Sequence, residues 1–347
     1  MIRNNFYTVY QKSAIVNCLL LSKLWYIAHV YPLSVKYSNE INTAICSFIW
    51  KPRYNPLSKD VLYNSKLKGG IALIDNFLKA RSIFTATVIK SFIKSDENNI
   101  IRCFMAKSFN ILFGIRNNTI VLDRICNNST PYYEYAKDLI QQCTSIKNFP
   151  RICSKDIYSV IQKYTKPNVE NMYPNFEWDL IWKNLNFKYI NIFDRHIMYK
   201  LLHEILTTNY RLSVIGRRVS PLCDTCNICE TNIHMFLYCA KVQDSLSLLY
   251  KLIFYVCDLN INESFLRYIF LYFPKVNKKV RNTLCVTVSS YLSCVWINRE
   301  CQDDLIYKFK SKMIKEQRYH LLTLGNKAKE IFTDNYCNLN SHIVRNL

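Results

Sequence analysis

Cys223, Cys226, His234 and Cys239 are the side chains whose types and spacing could do chemistry in this chain. Thiolate and imidazole are the groups that hold Zn²⁺ in a closed tetrahedral site. Two thiols separated by two residues make a tight knuckle. An imidazole and a third thiol arrive a short loop later. Four protein ligands leave no open position for water, so one such structural zinc would stiffen the fold and do no catalysis. A regular helix turns about 100° per residue, which would point His234 and Cys239 roughly 140° apart. The histidine is therefore expected at or before the start of a helix there.

The spacing admits a second register. Cys229 forms another Cys-x-x-Cys with Cys226, and Cys226-x2-Cys229-x4-His234-x4-Cys239 has the spacing of a retroviral zinc knuckle. That knuckle needs glycine where its backbone turns tightly, and Glu230 and Ile233 stand at those places. The pair Cys223/Cys226 is preferred, with Cys229 as the alternative ligand.

The elements that would position these residues are mostly helical. A chain of 347 residues has two domains as its soft prior, and it holds only five glycines, so few tight turns are available. Residues 12–31 read as an apolar helix with Ile15, Leu19, Ser22 and Tyr26 at helical spacing, stopped by Pro32. A second helix is expected near 38–50. A third is capped by Asp75 and runs to about 95. The Asn- and Ser-rich stretches 95–99 and 117–130 read as loops. Two helices are expected in 131–164, the second capped by Ser154, and then a linker at 166–174. Trp178 and Trp182 sit one turn apart on a short helix. Residues 191–205 are amphipathic, with Phe193, Ile197, Leu201 and Leu202 on one face. Further helices follow near 240–257, 262–272, 276–300 and 301–319. His203, a lone histidine on an amphipathic helix, reads as a satisfied core or boundary residue.

The formal charge is +21 with a pI near 9.3, a field that attracts polyanions, nucleic acid first and anionic membrane second. Richness in Lys, Asn, Ile and Tyr is also what an AT-rich gene would produce. Fifteen cysteines without a secretory leader fit a reducing nucleus or cytoplasm, not secretion. The uncharged run 284–297 is short and broken by Ser289, Ser290 and Ser293, so it reads as a buried helix and not as a membrane span.

Three stretches together resemble the C-terminal part of non-LTR (LINE-type) retrotransposon polyproteins, downstream of the reverse-transcriptase active site. The run SAIVNCLLLSKLWYIAHVYP from Ser13 to Pro32 resembles the family's thumb helix. ICSFIWKPRYNPLSKDVLYNSKLKGGIALID from Ile45 to Asp75 is similar to its Phe-Ile-Trp, Leu-Tyr, Lys-x-Gly-Gly-x-x-Leu-x-Asp pattern. Trp178 to Cys239 carries WDLIWKNL, YKLLHEILTTNYRL and PLCDTCNICETNIHMFLYC, the last similar to the reverse-transcriptase zinc-binding motif. Its Glu230-Thr231-x-x-His234 match supports the Cys223/Cys226 register. The stretches lie within residues 13–239, and their order along one chain is more specific than any one of them.

The departures bound the function. The family's polymerase needs carboxylates that hold two Mg²⁺, one pair in an aromatic-x-Asp-Asp hairpin. The only Asp-Asp pair here is Asp303-Asp304, in a polar context after the zinc motif. Fingers, palm and endonuclease are absent from this sequence, so the chain is expected to be a truncated or separate piece that does not polymerise or cut by itself. The resemblance implies a mostly α fold: a thumb/connection-like helical region over 1–130, a helical connector and linker over 131–176, and a helical C-terminal module over 177–347 with the zinc loop at 223–239. It implies binding of RNA or an RNA/DNA duplex, and the catalytic portion of a related polyprotein as a partner. Two basic groups are the expected grip: Trp50, Lys51, Arg53 and Tyr54, where charge interleaves with rings, and Arg211, Arg217 and Arg218, just before the knuckle. A zinc-stapled protein-interaction module is the alternative, and an active nuclease or polymerase the more distant one.

Overall fold

The computed structural model describes residues 7–50, 55–94, 111–116, 119–125, 152–257, 266–301 and 304–323, with residues 135, 136, 139 and 142. It is mostly helical. The chain divides into two compact units, one of 1–65 with 70–165, the other of 66–69 with 166–347.

In the first unit, α1 (Val9–Ile15) runs through a π-turn (Val16–Leu20) into α2 (Leu21–Ile27). Thr8 starts it with a capping box: its hydroxyl accepts from the Gln11 amide, and the Gln11 side chain accepts from the Thr8 amide. The sequence expects one regular helix with Leu19 and Tyr26 on its apolar face. The structure exposes both, because the π-turn, which contains Leu19 and precedes Tyr26, breaks the regular helical spacing on which that face depends. Val9, Tyr10, Val16 and Leu21 are buried instead. Asn17, inside the π-turn, donates to the Ala72 carbonyl at 2.9 Å and accepts from the Ile74 amide at 3.0 Å. Ser13 adds a bond to the Ile71 carbonyl. The polar positions of the Ile-Val-Asn segment thus hold the chain after the double glycine.

Helix α3 (Val35–Ile49) is capped by Ser34, and α4 (Lys59–Tyr63) by Ser58. Helix α5 (Asn76–Lys94) starts as expected, with the Asp75 carboxylate accepting from the Phe77 and Leu78 amides. Stretch 117–130 is not a simple loop. Strands β1 (Ile111–Arg116) and β2 (Thr119–Ile125) pair antiparallel there. The apolar and β-branched runs flanking Asn117-Asn118 are a hairpin signal that the abundance of asparagine masks. Most of the first helix expected in 131–164 lies outside the described residues. The second is α6 (Ser154–Ile161), with Cys153 at the cap position that the sequence assigns to Ser154 and the Asp156 carboxylate accepting from the Cys153 amide.

In the second unit, the expected linker contains a short helix, α7 (Asn168–Met172), opened by Pro167. Helix α8 (Trp178–Leu185) buries Trp178 and Trp182 against each other, ring centres 5.4 Å apart. Helix α9 (Ile192–Leu202) packs on α13 (Lys278–Ile297). Ile197, Leu201 and Leu202 are buried as expected, but Phe193, in the first turn, is exposed. Between them lie α10 (Asn209–Val214), α11 (Gln243–Cys257) and α12 (Leu266–Ile269). Helix α13 is the buried helix that the uncharged run suggested. Its Ser290 donates to the buried Asp194 carboxylate, whose other oxygen pairs with Lys312 at 2.6 Å. Among the described residues, no helix is long and apolar enough to cross a membrane. The last helix, α14, spans 305–323, and the Asp304 carboxylate caps it by accepting from the Ile306 and Tyr307 amides.

Candidate metal centre

The site is built by two short backbone devices. The first is a tight turn after Cys223. The Cys223 amide donates to the Ile228 carbonyl and the Asn227 amide to the Cys223 carbonyl, at 2.8 and 2.9 Å. Asn227 takes the left-handed conformation, φ 54°, which asparagine tolerates better than most residues. This turn carries the Cys223 and Cys226 thiols, while Leu222 and Cys229 form an isolated antiparallel bridge at its base.

The second device is a helical run whose 234–238 part is a π-turn (His234–Tyr238). Thr231 caps it, its hydroxyl accepting from the His234 amide at 3.1 Å. His234 therefore lies within the first turn and not at or before the helix start. The roughly 140° separation of His234 and Cys239 holds only for an α-helix. In the π-turn the Cys239 amide donates to the His234 carbonyl, so the fifth residue comes round above the first.

Together they gather Cys223, Cys226, His234 and Cys239 with one ligand atom from each, all within 4.8 Å of one another. This group could hold a metal ion. Cys229 is not part of it. The sulfur of Cys239 is 3.8 Å from that of Cys223 and 3.7 Å from that of Cys226. No disulfide joins them. A tetrahedron with metal–sulfur bonds of about 2.3 Å has edges of about 3.8 Å. His234 is 5% exposed, and its Nε2 is buried with no hydrogen-bond partner among the described residues. An unpartnered imidazole nitrogen beside three thiols fits a donor set meant for a cation.

Burial pushes the Cys239 thiol up to about 12, and the neighbouring Cys226 and Cys223 thiols add to the shift. An uncompensated Cys239 thiolate is thus disfavoured at this spot, and a bound cation would reverse that balance.

The surrounding contacts fix both devices. The Glu230 carboxylate accepts from the Asn209 amide at 2.9 Å and from the Asn209 side chain, which also donates to the Leu222 carbonyl. Gln243 donates to the Leu237 and Cys239 carbonyls. The Ala240 amide donates to the Cys226 sulfur at 3.2 Å. Lys241 donates to the carbonyls of Arg299 and Cys301, just past the end of α13. A cavity of about 60 Å³ beside the cluster is lined by Glu230, Lys241, Asn298 and Arg299 among others.

No protein-family model matches this chain, and no curated protein matches it.

The residues expected to grip nucleic acid are scattered in their circumstances. Trp50 is buried at the end of α3, its indole nitrogen without a partner among the described residues. Lys51, Arg53 and Tyr54 lie outside the described residues. Arg218 pairs with Asp224 at 2.6 Å on the exposed side of the knuckle. Arg217 is exposed. Arg211, on α10, is half-buried, and its Nε finds no hydrogen-bond partner among the described residues. His203 behaves as the satisfied core residue the sequence suggested. Its Nε2 donates to the Gly69 carbonyl at 2.8 Å, and its ring stacks on Trp182. Two contributors were missed: Asn209 and Gln243 carry no motif of their own, and only their contacts reveal them. Cys285 and Cys294 are buried on α13, in keeping with small core side chains.

Proposed function

We propose that this chain is a zinc-stapled, nucleic-acid-binding C-terminal region of a LINE-type reverse transcriptase. It binds RNA or an RNA/DNA duplex in the nucleus or cytoplasm, and works beside the catalytic portion of a related polyprotein. It neither polymerises nor cuts by itself. The observation that carries the reading is the convergence of Cys223, Cys226, His234 and Cys239, in the register that the resemblance favours. The Glu230-Thr231 pair of that motif has a physical job beside them, bracing Asn209 and capping the turn of His234.

Zinc is the metal that suits three thiolates and an imidazole at tetrahedral spacing. When bound, it supplies a crosslink between the turn after Cys223 and the run ending at Cys239, and no open coordination position. A net charge of +21 supplies the drive toward a phosphate backbone through counterion release. Asp304 has a helix-capping role, which accounts for one half of the Asp-Asp pair without a metal.

Binding of the purified chain to a labelled structured RNA across a salt series tests this. Affinity should fall with log salt on a slope worth about six or more phosphate contacts. No binding even near about 50 mM salt would overturn the proposal. A protein-interaction module would then take its place, a reading favoured by the exposed Leu19, Leu20, Tyr26 and Ile27 of the first helices.

A further inference from the structure

A second concavity lies on the other side of the Thr231 turn. It encloses about 270 Å³, at the small end of ligand sites, and Glu204, Thr208, Tyr210, Arg211 and Asn232 supply its polar wall. Two of its groups are buried and unsatisfied among the described residues: the Arg211 Nε, a donor, and the Asn232 Oδ1, an acceptor. Both atoms lie beneath the accessible surface, while the part-buried Arg211 and Asn232 side chains themselves line the concavity.

Glu204 strengthens the case. It occupies the residue just past the α9 C-cap, at φ 56°, where glycine or asparagine is usual. The turn is closed by the Glu204 amide on Leu201 and the Ile205 amide on Lys200. A glutamate held left-handed is a local strain, and it places the carboxylate at this pocket. One carboxylate oxygen accepts from the Tyr173 hydroxyl at 3.1 Å, and the other has no hydrogen bond among the described residues. Tyr210, 47% exposed, offers a ring in the same wall.

A ligand suited to this wall would accept from a guanidinium, donate to a carboxylate, and present a flat face to Tyr210. A phosphate satisfies only the first demand and is repelled by Glu204. Guanine satisfies all of them. Its O6 and N7 accept from arginine, its N1–H and N2–H₂ donate, and its ring stacks on tyrosine. We propose that this pocket takes an unstacked guanine base from single-stranded RNA, so that Arg211 reads a base edge and not the backbone. The choice of ligand class rests on the nucleic-acid reading above.

Guanosine and adenosine monophosphates, titrated separately into the zinc-loaded full chain and followed by ligand-detected NMR, test the pocket. Guanosine monophosphate should bind about tenfold tighter, the worth of one good base-edge pair. Glu204→Gln should erase the preference, and Arg211→Met should weaken guanosine monophosphate by a similar factor. Equal binding of the two nucleotides, or no binding of guanosine monophosphate to the wild-type chain, overturns the pocket without recourse to either variant. The salt series judges the broader reading separately. A chain that binds RNA but ignores the mononucleotide keeps the function and loses the pocket. A chain that binds the mononucleotide but not RNA does the reverse.

Discussion

The backbone amide of Cys239 donates to the carbonyl of His234 at 2.8 Å, an i→i+5 bond that makes neighbours of two of the four residues that could hold a metal. In an α-helix the same pair would face well apart. The π-turn is thus the device by which a five-residue spacing brings a thiol and an imidazole together, and such turns are frequent at functional sites.

Cys239→Ser should lower zinc affinity by more than the roughly 10–100-fold that outer-contact changes cost, because it removes a ligand. Cys229→Ser should leave it unchanged, since Cys229 stands outside the cluster. Competition with a chromogenic chelator measures both. Equal losses in the two variants would favour the register that starts at Cys226.

Metal binding should depend steeply on pH. The Cys239 thiol is raised toward about 12 by burial and by its two sulfur neighbours, so this thiol is protonated at neutral pH when no metal is bound. Metal must displace that proton, and affinity should fall as pH drops, by up to about one decade per pH unit for each proton released. The metal-free fold carries the opposite sign. A raised acid pKa contributes stability below the ordinary value of 9.0 and loses it as pH rises toward about 12. Thermal melts of the metal-free chain should therefore decline above about pH 9 while those of the loaded chain hold. Parallel curves for the two forms would count against a thiolate site.

Much of this fold could be read from the sequence where a side chain announces a boundary, as with the Asp75 cap, the Trp178–Trp182 pair and the uncharged run of α13. The clustering of Cys223, Cys226, His234 and Cys239 was legible for the same reason: thiol and imidazole spacing is chemistry written into residue type. What could not be read is backbone phase. Neither π-turn changes composition, yet one turns Leu19 and Tyr26 out to solvent and the other brings Cys239 over His234. Partner choice was equally hidden. Trp50 among basic residues reads as a stacking platform, but its ring packs inward, and Arg218 is already paired with Asp224.

The glycines of the Lys-Gly-Gly segment should respond unequally to alanine. At Gly69, φ +75° and a Cβ only 2.8 Å from the Trp182 ring combine backbone strain with overpacking, a loss of about 2–4 kcal/mol. At Gly70 a Cβ would lie 2.0 Å from the Asn64 carbonyl oxygen, which is backbone and cannot swing away, so the loss should be larger still. Gly216 has φ +68° but open space around it, and Gly216→Ala should cost only about 1 kcal/mol of strain. Chemical denaturation of the three variants gives the ranking. A Gly69→Ala chain as stable as Gly216→Ala would show that the Trp182 contact is not tight.

His203 should make the second unit acid-sensitive. Burial pulls its pKa down from 6.5 to about 4, against a smaller opposing effect of its bond to the Gly69 carbonyl. That bond needs a proton on Nε2, so the neutral ring is the donor and the second nitrogen stays unprotonated while stacked on Trp182. A depressed pKa contributes stability above the ordinary value of 6.5 and loses it as pH falls toward about 4, a swing of at most about 3 kcal/mol. His203→Gln keeps an N–H that can reach the carbonyl and does not titrate. It should cost about 1–2 kcal/mol at neutral pH through the lost ring stack, and flatten the fall in melting temperature between about pH 6.5 and 4. Metal-free protein is the right sample, because acid also strips the cysteine site and would mask the histidine. An unchanged acid slope in His203→Gln would mean that another buried group, such as His320, whose pKa burial also lowers, carries the sensitivity.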